Sequence, residues 1–210
     1  MDSIAQYVLT FTIFIIFATF HEYAHGWMAN RCGDPTAKRS GRLSLNPIVH
    51  IDPIWTVILP ALMLLSSQGR IAFGAAKPVP VNPFWLRNPK RDMIWVGLAG
   101  PSTNVAWTLI LIFIMKMGIN TGLFSRGAPI YILLFICMRI NVVLLVFNML
   151  PIPPLDGSRV VEGLLPDRYA DEYSGLGRYG FIILILLMVS GIVQWILFAA
   201  INLVVRIFVL

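Results

Sequence analysis

Apolar residues fall in five stretches along this chain, separated by turn formers and cations. Ile4 to Phe20 contains only apolar residues, Thr, Gln and Tyr, which predicts a first helix over about Ile4 to Ala29. Ile54 to Leu65 is 12 residues long. A helix needs about 20 to cross a bilayer, so this piece is expected to be re-entrant or buried. Met93 to Met117 and Ile130 to Leu150 are long enough to cross. Pro101, in the former, is expected either to start a helix or to kink a longer one. Tyr179 to Leu210 is too long for one upright crossing, and a break is expected at Ser190-Gly191.

Ile71 to Pro83 has a different pattern. It is too rich in proline and glycine for a helix, and its valines suit extended structure. Prolines confine a strand to a sheet edge, and such an edge can pair with an extended peptide. These elements together predict an all-α multi-spanning membrane protein. It has about four to six membrane segments and a short membrane-associated β-like hairpin.

Composition agrees. The chain is 58% hydrophobic and 12% charged, with a mean hydropathy of +0.78, whereas soluble domains run near half apolar and a quarter charged. The first apolar stretch is too long for a removable signal peptide and lacks a basic start or cleavage site. Cys32 and Cys137 suggest no disulfide framework. The net charge of +6 reads as topology rather than nucleic-acid binding. Twelve of the 16 basic residues fall in 30–52, 68–92 and 156–178. That places the N-terminus outside and the far end of the first helix at the cytoplasmic face.

The candidate chemistry lies at that far end. His21 and His25 share one helix face at i, i+4 and can present ring nitrogens to one metal. Glu22 lies one step round, where it can take a proton from a water. An acidic residue in an apolar span costs about 2.5 kcal/mol or more and marks function. Catalytic zinc commonly adds a third protein ligand, often a carboxylate. Asp156 is a candidate because Pro151, Pro153 and Pro154 fix its direction where a membrane helix ends; Glu162 and Glu172 compete with it. Asn148, on the last turn of that helix, could hydrogen-bond a carbonyl oxygen as it gains charge, or simply satisfy its own backbone. Asn141 lies within about 20° of Asn148 on the helix and, if Asn148 faces the metal, is expected to line the same cavity deeper in, where water must reach the site. Arg139 points to roughly the opposite face. His50 has no partner in sequence and reads as an ordinary hydrogen-bonded histidine.

Three motifs, in this order, carry a resemblance: His21-Glu22-x-x-His25, Gly100-Pro101-x-x-Asn104, and Asn148-x-x-Pro151-x-Pro153-x-Leu155-Asp156-Gly157. The chain resembles the site-2 protease family of intramembrane zinc metalloproteases, in a short form without a PDZ domain. Phe73-Gly74 to Asn82-Pro83 resembles that family's membrane-associated strand region. The resemblance implies that His21, His25 and Asp156 bind Zn2+, that Glu22 is the general base and that Asn148 assists the oxyanion. It further implies a transmembrane segment of another protein as substrate, with Phe73, Gly74, Ala75 and Asn104 as candidate substrate-binding residues.

On this reading residues 1–210 form a single integral-membrane domain. Its catalytic core spans about 4–165 and its C-terminal membrane segment or segments span 179–210. The expected setting is the lipid bilayer of a prokaryotic plasma membrane, with the active site near the cytoplasmic face and no nucleic-acid partner. Two rivals stand beside it. One is a prenyl-protein-processing type of membrane metalloprotease with Glu162 as third ligand. The other is a non-catalytic membrane protein with a polar ion or proton path.

Overall fold

In the computed structural model, which describes residues 3–58 and 74–209, every regular element is helical. The chain divides into two units, Met1–Arg87 and Asn88–Leu210.

The first unit is built on α1 (Ser3–Arg31). Its 29 residues rise about 43 Å, more than the roughly 30 Å of a bilayer's hydrocarbon core. Its buried side includes Ile13, Ile15, Phe17, Ala18, Ala24 and Ala29. The helix stops at Gly33, whose φ of +112° suits glycine. Asp34 follows, buried, and its Oδ1 accepts from the Thr36 N–H at 2.9 Å at the start of the short helix α2 (Thr36–Arg39). A 3-10 turn at Pro47–His50 is capped by Asn46, whose Oδ1 accepts from Ile48 N. Pro53–Ile58 forms a π-type turn. The expected re-entrant piece is described only to Ile58; residues 59–65 lie outside the described residues.

The strand-like stretch departs from expectation. Residues 71–73 lie outside the described residues, and 74–82 form no strand. Its valines favour extended backbone, but a strand needs a partner strand, and here the partners are scattered groups. Thr56 Oγ1 donates to Ala75 O (2.6 Å), Lys77 N donates to His50 O (2.8 Å), and Asn82 N donates to Asp34 Oδ2 (2.7 Å). Val79 is buried against α1 at Gly26, where a Cβ would lie 3.1 Å from the valine Cγ1. Glycine permits that close approach.

The second unit opens with α3 (Pro89–Asn120), 32 residues with Pro101 inside one continuous helix rather than at its start. A short turn leads to α4 (Pro129–Asn148). The two helices pack together, and deep between them the Asn104 amide donates to Asn141 Oδ1 at 3.0 Å. After Asn148 come the prolines, with a cis bond between Pro153 and Pro154. Then α5 (Asp156–Leu164) lies against α3. The polar α6 (Asp167–Gly175) and apolar α7 (Gly177–Val189) meet at 61°. Gly191, φ +83°, breaks α7 from α8 (Ile192–Val204), as the Ser190-Gly191 pair predicts.

Among the described residues, three helices are long and apolar enough to cross a membrane: Ala5–Arg31, Pro89–Asn120 and Pro129–Asn148. The bent pair α6–α7 makes a fourth if it counts as one span. Four is the lower end of the expected four to six, and the count covers the described residues alone. The break at Gly191 separates α7, 13 residues and about 20 Å long, from an apolar helical run that continues from α8 through a π-type turn, Ile192–Phe208.

A candidate metal centre

Because α1 runs unbroken through residues 21–25, the i, i+4 spacing becomes a contact. The Nε2 atoms of His21 and His25 stand 3.0 Å apart, with the rings edge to face and their centroids 4.6 Å apart. Both residues are buried, at 4% and 3% exposure. Two nitrogens bound to one zinc at about 2.0–2.1 Å in tetrahedral geometry stand about 3.3 Å apart, so the pair fits a shared ion with a shift of a few tenths of an ångström.

Glu22 points elsewhere. It is half-buried, and its Oε2 accepts the backbone N–H of Val79 at 2.8 Å. The carboxylate of the motif is thus held by the 74–82 segment, not by the histidines.

Asp156 is the first residue of α5 and is buried at 6% exposure. A helix N-terminus favours its negative charge, and Arg159 Nη1 lies 3.6 Å from Oδ1. The turn that presents it closes on Gly157, where a Cβ would sit 2.3 Å from Met149 O. No other residue fits that approach. Glu162 and Glu172, the competing carboxylates, are exposed. His21, His25 and Asp156 are each buried and are a donor set able to hold a metal ion. Two imidazoles and one carboxylate match the usual ligand set of catalytic zinc.

The other candidates are placed as follows. Asn148 is half-buried and donates Nδ2 to Leu144 O at 2.9 Å, one turn back. A side-chain amide carries two N–H bonds, so this contact takes one of them. Asn141 is fully buried, joined to Asn104 and to Cys137 O, instead of lining open space beside Asn148. Asn104, a candidate for substrate, is likewise fully buried in that pair. Arg139 is exposed, on the side of α4 that the helical spacing gives it. His50 is buried and bonded through Nε2 to Ser44 O, an ordinary hydrogen-bonded histidine as expected. Gly74 and Ala75 are half-buried at the start of the pinned segment, and Phe73 lies outside the described residues.

Sequence reasoning missed Asp34, Arg42 and Thr56, which hold that segment. Arg42 was counted only as a cytoplasmic charge. Its burial at 9% exposure separates it from the topology-setting cations, and no local pattern announces that.

Comparison with known proteins agrees with this donor set. The family described as "Peptidase family M50" matches residues 125–190, which include Asn148 and Asp156. Curated relatives share the printed description "Putative zinc metalloprotease". YwhC of Bacillus subtilis is 36% identical over 212 residues, covering 96% of this chain and 92% of that protein. Rip2 of Mycolicibacterium smegmatis is 26% identical over 190 residues, covering 90% and 70%. A shorter match, 39% identical over 67 residues, is to MJ0611 of the archaeon Methanocaldococcus jannaschii, covering 32% of each chain. No solved structure matches. With more than a third of its positions shared along nearly the whole of a relative, and with the family's own match over the Asp156 half, the chain belongs to peptidase family M50, the site-2 protease family.

Proposed function

We propose that this chain is an intramembrane endopeptidase that hydrolyses peptide bonds in or near transmembrane segments of other membrane proteins. At the coarser level it is a membrane-embedded zinc metalloprotease with protein substrates. His21, His25 and Asp156 supply the three protein ligands, and Glu22 is the general base. The observation that carries the reading is the buried His21–His25 pair, 3.0 Å apart and one residue from a carboxylate, in a helix apolar enough to cross a membrane.

The chemistry that a zinc ion supplies there is Lewis acidity, which lowers the pKa of a water and polarises a peptide carbonyl. Glu22 takes the proton from that attacking water and delivers it to the departing amine. Asn148 has a second amide N–H with which to stabilise the carbonyl oxygen as charge develops on it. A helical substrate hides its carbonyls in internal hydrogen bonds and must unwind before it can react. Phe73, Gly74 and Ala75 would hold the unwound stretch extended.

The distribution of basic residues supports an outside N-terminus and a site near the cytoplasmic face of the membrane. The bacterial and archaeal relatives support the plasma membrane of a prokaryote. The prenyl-processing alternative needs Glu162 as a ligand, and its exposure favours Asp156 instead.

The test is Glu22→Gln in cells and in purified protein. The proposal expects retained zinc, lost cleavage and an accumulating membrane protein. Full activity of the variant would refute it.

A further inference from the structure

The contact that holds Glu22 is one end of a longer connection. Val79 N–H and Pro78 C=O belong to the same peptide group, which is planar and rigid. At its nitrogen end the N–H donates to Glu22 Oε2 at 2.8 Å. At its carbonyl end Pro78 O accepts from Arg42 Nη2 at 3.1 Å. The same Nη2 donates to Lys77 O at 2.6 Å, and Nη1 donates to Val49 O. A buried guanidinium and a half-buried carboxylate therefore address opposite ends of one peptide. Hydrogen bonds in such a chain polarise one another, so a cation at the carbonyl strengthens the N–H as a donor to the anion.

We propose that Arg42 is a positioning residue for the general base, acting on Glu22 through the Pro78–Val79 peptide. This rests on the reading of Glu22 as base. Arg42 anchors the segment by two successive carbonyls and ties it to the Pro47–His50 turn through Val49. Thr56 and Asp34 fasten the segment further along the chain on either side, at Ala75 and Asn82. Arg42 is the fastening that meets the peptide bonded to Glu22. The flanking prolines at 78 and 80 restrict the backbone there, so the N–H keeps its direction.

The experiment uses the full chain in detergent and a synthetic single-span peptide carrying a fluorophore and quencher on either side of its cleavable stretch. Arg42→Gln keeps a neutral donor and should lower kcat about ten-fold with KM and zinc content unchanged. Arg42→Lys, which keeps the charge, should recover most of the loss. Val79→Pro deletes the N–H, and adding Arg42→Gln to it should cost nothing more, because the connection is already cut. A merely structural Arg42 would give additive losses and no rescue by lysine, and either result overturns the proposal. Hydrogen exchange at the Val79 amide is a second readout, independent of turnover and of whether Val79→Pro folds. It should speed up about ten-fold or more in Arg42→Gln while α1 amides stay protected, and an unchanged rate also overturns the proposal. Glu22→Gln separates the two readings. If that variant cleaves the peptide, Glu22 is not the base, whereas the exchange result still reports whether Arg42 holds the Val79 amide.

Discussion

Asn104 donates its side-chain amide to the side-chain oxygen of Asn141 across 3.0 Å, and both residues are fully buried between α3 and α4. Asn141 also donates to Cys137 O. This amide pair fixes the register of the helix that ends at Asn148. Polar pairs between membrane helices are worth about 0.6–2 kcal/mol. Asn104→Ala and Asn141→Ala should each destabilise the protein by about that much. The double variant should cost less than the sum, because removing both partners leaves no orphan. Thermal unfolding of the four proteins in detergent measures the coupling, and strict additivity would count against the pair.

Metal content is the direct check on the ligands. Purified protein should carry about one zinc, lost in His21→Ala and in His25→Ala and weakened in Asp156→Ala. Glu162→Ala should leave zinc unchanged, because that side chain is exposed. Chelation should abolish cleavage and added zinc restore it. Zinc retained in Asp156→Ala but lost in Glu162→Ala would reverse the assignment.

The two faces of α4 give a matched pair. Asn148→Ala should reduce turnover by up to about 100-fold or more with zinc retained, if its remaining N–H serves the oxyanion. Arg139→Met, on the exposed side, should cleave normally. Kinetics on the same synthetic peptide decide this, and the opposite pattern would show that the helix has been read the wrong way round.

Gly157→Ala should be among the most damaging small substitutions. The new Cβ would lie 2.3 Å from Met149 O and 2.7 Å from Leu150 O, both backbone atoms that cannot step aside. A cost of about 1–3 kcal/mol or more is expected, with loss of zinc as Asp156 moves. Gly127→Ala meets nothing within 4 Å and should stay within about 0.5 kcal/mol of wild type by unfolding.

What could be read from the sequence follows the range of the interactions. The His21–His25 pair is set by helical periodicity within five residues, so five residues suffice to find it. Asp156 was legible for a similar reason, since neighbouring prolines restrict its direction without help from elsewhere. The segment 74–82 was misread because strand propensity is local while strand formation is not. Its bonds come from Asp34, His50 and Thr56, between 19 and 48 positions away, and from Glu22, 57 away. Asn141 was expected to line a cavity, but its partner on α3 lies 37 residues off, outside any helical pattern. The break in the last apolar run was legible because Ser190-Gly191 is a local signal, and Gly191 adopts the positive φ that such a break uses.

Residues 78–80 read Pro-Val-Pro, so they contain a single backbone N–H, and Glu22 has taken it. The N–H of Lys77 is spent on His50 O. A peptide lying along this segment therefore finds no free backbone donor anywhere from 77 to 80. On the proposed function, a peptide paired with residues 74–76 would gain no hydrogen bond from a backbone N–H over the next four positions, so the donors available to it would end next to the peptide group that holds Glu22.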